Sequence, residues 1–139
     1  MKNATFENFG GEQNEFYSNE HWTVLVRPKQ VSLGSSVLIC KRPIDSMSKL
    51  TDAELLSFGI AIREIESRLL KAFEFEKINY LLLMMKDNEV HFHIIPRYSK
   101  IKEFAGLKWE DKEWPKAPDM TSVVTSDTAV LKSIKEKLA

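Results

Sequence analysis

Asn88-Glu89-Val90-His91-Phe92-His93-Ile94-Ile95-Pro96-Arg97 is the stretch on which the fold turns. Val90 to Pro96 is apolar and β-branched at alternate places, so it reads as a strand. Residues two apart on a strand share a face. Glu89, His91 and His93 therefore point one way, each about 6.6 Å from the next. Val90, Phe92 and Ile94 point the other way, into a core. The whole chain has three histidines, so this row concentrates ionisable chemistry on one strand face.

Three uses of such a row stay open from the residues themselves. A middle imidazole with an orienting group on each side suits attack on phosphorus through a covalent phosphoramidate. Imidazole titrates near pH 6.5, so a neutral, nucleophilic ring is available at neutral pH. His93, protonated or donating, would stabilise charge on phosphoryl oxygens. Glu89 would accept a ring proton or act as acid or base. Alternatively, Glu-x-His-x-His is a ligand set for zinc, iron or manganese. Barrels that ligate metal this way need many short strands and Gly-rich turns, whereas this chain has five glycines. The third possibility is a pair of strand histidines with no task.

Working outward, Ile78-Asn79-Tyr80-Leu81-Leu82-Leu83-Met84-Met85 is an unbroken apolar run. It reads as a central strand, buried on both faces, turning through Lys86-Asp87-Asn88 into the histidine strand. Upstream, Thr51-Asp52-Ala53-Glu54 is a capping box. After it Leu55, Phe58, Ile62, Ile65, Leu69 and Phe73 recur in steps of three and four, which predicts a helix of about 22 residues. Trp22–Val26 and Ser36–Cys40 read as strands joined in a hairpin.

The ends are less regular. Residues 1–15 are polar around Gly10-Gly11 and are expected to be a flexible lead-in. Residues 16–139 are expected to be a single domain, its C-terminal segment broken by Pro115 and Pro118. Ser126 is placed to cap a final helix carrying Ala129, Val130, Ile134 and Leu138. The element order predicts an α+β fold, an antiparallel sheet of about five strands with one long helix packed on it.

Composition narrows the partners. Twenty basic and twenty acidic residues cancel, which disfavours a nucleic acid polymer held by bulk charge. A small phosphorylated ligand needs only a local site. No window approaches the roughly 20 apolar residues of a membrane helix, and the reading is cytoplasmic. Cys40 is the one cysteine; an internal disulfide and a thiolate zinc cluster are excluded, and its apolar neighbours make it a small buried hydrophobe.

His91-Phe92-His93-Ile94-Ile95-Pro96-Arg97 resembles the end of the histidine triad motif, in which three histidines alternate with apolar residues, often before Pro-Arg. His93 then takes the third triad position and His91 the second, which is the family's nucleophile. Glu89 falls on the first. Gly34-Ser35-Ser36-Val37-Leu38-Ile39-Cys40-Lys41-Arg42-Pro43 is similar to a family strand in which Ser35 and Pro43 stand at histidine positions. Leu50-Thr51-Asp52-Ala53-Glu54-Leu55 also fits the family pattern, so the likeness covers residues 16–97.

The resemblance implies a HIT-like fold with a five-stranded antiparallel sheet, and a homodimer. It implies a nucleotide hydrolase or nucleotidyl transferase that cleaves phosphoanhydride or phosphoramidate bonds, as in diadenosine polyphosphates. Catalysis would run through a nucleotidyl-histidine at His91, with His93 and Glu89 in support and no metal or cofactor. The alternative is a nucleotide-binding protein on the same fold with weak or no catalysis, which Glu89 raises, because a carboxylate repels phosphate unless it is protonated or paired. The short loop before the strand offers Lys86 and backbone amides in place of the family's longer Gly-rich loop. Arg97, Asn79 and Trp109 join Lys86 as candidate substrate-binding residues; the alternatives are a solvated or dimer-interface role for Arg97, a side-chain bond to backbone for Asn79, and core or interface packing for Trp109. His21, beside Trp22, reads as a partly exposed packing residue.

Overall fold

A computed structural model describes residues 3–139. In chain order the elements are α1 (Ala4–Asn8), β1 (Glu15–Ser18), β2 (Trp22–Val26), β3 (Ser36–Cys40), α2 (Asp52–Phe73), β4 (Lys77–Leu81), β5 (His91–Arg97), β6 (Lys102–Phe104), β7 (Leu107–Trp109) and α3 (Thr128–Leu138). The first five strands form one sheet in the order β1-β2-β3-β5-β4. Every neighbour in it is antiparallel. The architecture is α+β, as the order of elements predicts.

The helix forms where its capping box places it. Thr51 Oγ1 accepts the Glu54 amide at 3.1 Å, and a Glu54 carboxylate oxygen accepts the Thr51 amide at 2.8 Å. Ala61, Ile65, Leu69 and Phe73 are the buried stripe of α2 and pack with Val24, Leu38, Phe92 and Ile94. Leu55, expected on that stripe, is exposed, and Glu54 is buried instead. The reason is an ion pair: Arg42 Nε and Nη2 reach the two Glu54 carboxylate oxygens at 3.0 and 2.8 Å. Glu54 thereby ties the end of β3 to the start of α2.

Three expectations change. The apolar run from Ile78 is an edge strand rather than a central one, because β5 inserts between it and β3. It ends at Leu81, and Leu82, Leu83 and Met85 beyond it are exposed. Residues 3–14 are not a loose lead-in. Asn3 caps α1, its side chain accepting the Phe6 amide at 2.9 Å and donating to the Cys40 carbonyl at 2.8 Å. Phe6 packs there with Leu25, Val37 and Ile39, on the sheet face opposite α2, with Phe9 beside them. Residues 1 and 2 of the expected lead-in lie outside the described residues. Finally, α3 is capped by Asp127 rather than Ser126, and it buries Leu131, Ile134 and Leu138.

The sheet thus has two covered faces, which explains why all five residues of both β2 and β3 are buried. No helix among the described residues is long and apolar enough to cross a membrane.

Candidate active site

Register sets the histidines beside specific neighbours. His91 pairs with Ile39, and His93 lies between Val37 on β3 and Leu81 on β4. Their rings share the face that α1 covers. The ring centroids are 5.1 Å apart, close to perpendicular at 78°. Both are nearly sealed: His91 is 2% and His93 7% exposed. Phe9 supplies much of the seal, its ring centroid lying 5.9 Å from His91 and 5.7 Å from His93.

Hydrogen bonds settle which ring nitrogens are free. His91 Nδ1 is 2.7 Å from the Glu89 carbonyl oxygen. A carbonyl can only accept, so Nδ1 carries the proton and Nε2 keeps its lone pair. At His93 the order reverses. Arg27 Nε donates to His93 Nδ1 at 3.3 Å, so that nitrogen accepts and the neutral ring carries its proton on Nε2. Burial, and then the nearby Arg27 charge, pull the His93 pKa down to about 4. His93 is therefore a neutral donor at neutral pH, not the imidazolium that the sequence left open. The pair presents one lone pair and one N–H.

Glu89 departs from the expected row. It lies outside β5, in a bend, and its carboxylate accepts from Thr5 Oγ1 at 3.1 Å. What orients His91 is the backbone carbonyl of Glu89, not its side chain. A ligand set of Glu89, His91 and His93 is not formed: among the described residues no three of the His, Cys, Asp and Glu side chains are grouped to hold a metal.

The other candidates separate from the pair. Arg97 is buried at the far end of β5, and its fork is occupied. It makes a two-pronged ion pair with Asp111 and donates to Asn79 Oδ1 and the Lys116 carbonyl, both at 2.8 Å. Arg97 and Asn79 thus anchor the C-terminal segment to the sheet. Trp109 is buried in the main core, its indole donating to the Phe104 carbonyl at 3.1 Å. Lys86 is exposed in the connection between β4 and β5. His21 is partly exposed, 3.7 Å from Glu20.

Sequence reasoning missed Arg27, Phe9 and Thr5. A signal for Arg27 existed: it follows Leu25 by two residues and so belongs to the same face. Leu25 pairs with Val37, and Val37 with His93, but that alignment needs the strand order. Phe9 and Thr5 carried no signal, since nothing in a polar leader says which surface it will cover.

No family model matches the chain. It is 26% identical over 128 residues to the nitrilase and fragile histidine triad fusion protein NitFhit of Caenorhabditis elegans, covering 86% of this chain and 29% of that protein. The chain therefore spans under a third of the relative's length. The crystal structure of C. elegans NitFhit superposes with a TM-score of 0.58 at 25% identity, covering 89% of this chain and 28% of that one. A histidine triad protein from Bradyrhizobium japonicum superposes over 99% of this chain and 94% of its own, with a TM-score of 0.73 at 15% identity. By these superpositions the chain, with its five-stranded antiparallel sheet and one long helix, is a protein of the histidine triad fold.

Proposed function

We propose that the chain is a nucleotide hydrolase or nucleotidyl transferase in which His91 is the nucleophile. The observation that carries this reading is the Glu89 carbonyl on His91 Nδ1, which leaves Nε2 as the attacking atom. Attack forms an Nε2–P bond as the bond from phosphorus to the leaving group breaks, and the leaving group departs with the electron pair. The ring becomes cationic in that step, and the Nδ1–H to carbonyl bond strengthens to offset the charge. Water, or another nucleotide acceptor, then attacks phosphorus; the Nε2–P electrons return to the ring and the attacking oxygen loses its proton. His93, held neutral with its proton on Nε2, supplies a donor for a phosphoryl oxygen.

Mixing the protein with diadenosine tetraphosphate or adenosine 5′-phosphoramidate should yield product, and rapid quenching should trap an adenylylated His91. The reading fails if His91→Asn turns over every nucleotide tested as fast as the wild type.

A second reading is nucleotide binding with little turnover, and the cover of α1 and Phe9 over both rings favours it. Tight binding of AMP without product from any substrate supports it. A homodimer also belongs to this proposal. The edge strand β4 pairs only with β5 among the described residues, and exposed Leu82, Leu83 and Met85 follow it.

A further inference from the structure

Arg27 directly follows β2 and turns its side chain back across the sheet to His93. It is 9% exposed. Two of its donors are used, Nε on His93 Nδ1 at 3.3 Å and Nη1 on the Lys29 carbonyl at 2.6 Å. Both partners are neutral. Among the described residues no carboxylate lies within ion-pair distance of Arg27. This contrasts with Arg97, the other deeply buried arginine, whose fork is filled by Asp111.

A buried, uncompensated guanidinium is costly, because desolvation of a charge is repaid only by a counter-charge and full hydrogen bonding. Burial lowers the Arg27 pKa from its usual value, yet guanidinium stays charged in a protein. Its Nη2 makes no hydrogen bond among the described residues. It is also not sealed away, since among the described residues every fully buried side-chain nitrogen or oxygen has a partner. Arg27 therefore holds a positive guanidinium beside the histidine pair with its Nη2 donors unspent among the described residues. Guanidinium offers two parallel N–H donors to a pair of oxygens of a phosphate or carboxylate.

We propose that Arg27 forms an anion subsite beside His93 that takes the phosphate adjoining the phosphoryl group at His91. It selects nucleotides whose leaving group is itself anionic over nucleoside phosphoramidates, whose leaving group is an amine. The choice of ligand rests on the function proposed above; the anion subsite does not. The same charge adds to burial in disfavouring a proton on His93, so the residue that would receive the second phosphate also helps keep the ring neutral.

Calorimetry in the His91→Asn background, where turnover cannot intervene, tests this. ADP should bind about tenfold tighter than AMP, and Arg27→Gln should bring that ratio to about one, as expected for losing a charged hydrogen bond. Arg27→Lys should retain part of the preference. The proposal is overturned if wild-type Arg27 gives no preference for ADP. It is equally overturned if Arg27→Gln, folded by circular dichroism, weakens AMP and ADP by the same factor, which marks a residue that merely orients His93. If neither nucleotide binds, the nucleotide reading falls and inorganic pyrophosphate decides the subsite. Binding that shifts the His93 ring signals and vanishes in Arg27→Gln sustains it; absence of such binding sinks it.

Discussion

Phe9 lies edge-on to His93, with ring centroids 5.7 Å apart and planes crossed at 74°. The contact joins the N-terminal turn to the strand that carries the site chemistry. Aromatic pairs in this geometry contribute about 0.5–1.5 kcal/mol beyond burial. Phe9→Ala should leave the sheet intact, because Phe6 still packs on Leu25, Val37 and Ile39. It should speed modification of His91 and His93 by diethyl pyrocarbonate several-fold, read by mass spectrometry of the two histidine-containing peptides. Equal rates in variant and wild type would show that Phe9 does not limit access.

Neutral His93 makes stability depend on pH. Its folded pKa is lowered from 6.5 to about 4, so the unfolded chain takes up a proton first as pH falls. The stabilising contribution is complete above about pH 6.5 and is lost progressively toward pH 4; linkage makes it up to a few kcal/mol. Urea midpoints of the wild type should drop across this window, and those of His93→Gln should drop less. A proton NMR titration should find the His93 ring titrating near pH 4.

Glu54 also makes stability fall in acid, in the same direction as any paired carboxylate. The Arg42 guanidinium, helped by the Thr51 amide, pulls its pKa from 4.5 to about 2. Its contribution is present above about pH 4.5 and disappears as pH falls toward 2. Although Arg42 itself is half exposed, Arg42→Ala should lower the urea midpoint, because it leaves the buried Glu54 carboxylate short of donors. Denaturant titration at pH 7 checks this. The neighbouring Cys40 thiol, pushed up to about 11 mainly by burial, should stay unreactive to Ellman's reagent until the protein unfolds.

Asp111→Asn should be the more damaging change. Arg97 and Asp111 are both deeply buried, and removing one charge strands the other at about 3–5 kcal/mol. The expected signs are a lower thermal midpoint and faster proteolysis within residues 110–122, the segment that Arg97 holds through Asp111 and the Lys116 carbonyl. An unchanged midpoint would remove Arg97 as the anchor of that segment.

Much of the scaffold was legible because it is written in local periodicity. The capping box at Thr51, the stripe Ile65-Leu69-Phe73 and the strands at Trp22 and Ser36 each depend on neighbours within a few residues. The alternation around His91 and His93 likewise put both rings on one face. Ile78 to Met85 misled, because a run of apolar residues looks the same on an edge as in a sheet centre when a second surface is available to it. Arg97, Asn79 and Trp109 read as ligand contacts because their partners, Asp111, Lys116 and Phe104, are unordered relative to them in sequence.

The sequence by itself determined the α+β class, the long helix and the shared face of His91 and His93, since these follow from periods of 3.6 and 2. Only the tertiary structure decided the protonation pattern and the company of the site. His91 Nε2 is free because a carbonyl two residues back folds onto Nδ1, and His93 is neutral because burial, and then Arg27 arriving from just after β2, disfavour its charge. Phe9 closes the face from 82 residues before His91 along the chain. Such contacts set charge and access, and they depend on strand order and burial, which no local pattern encodes.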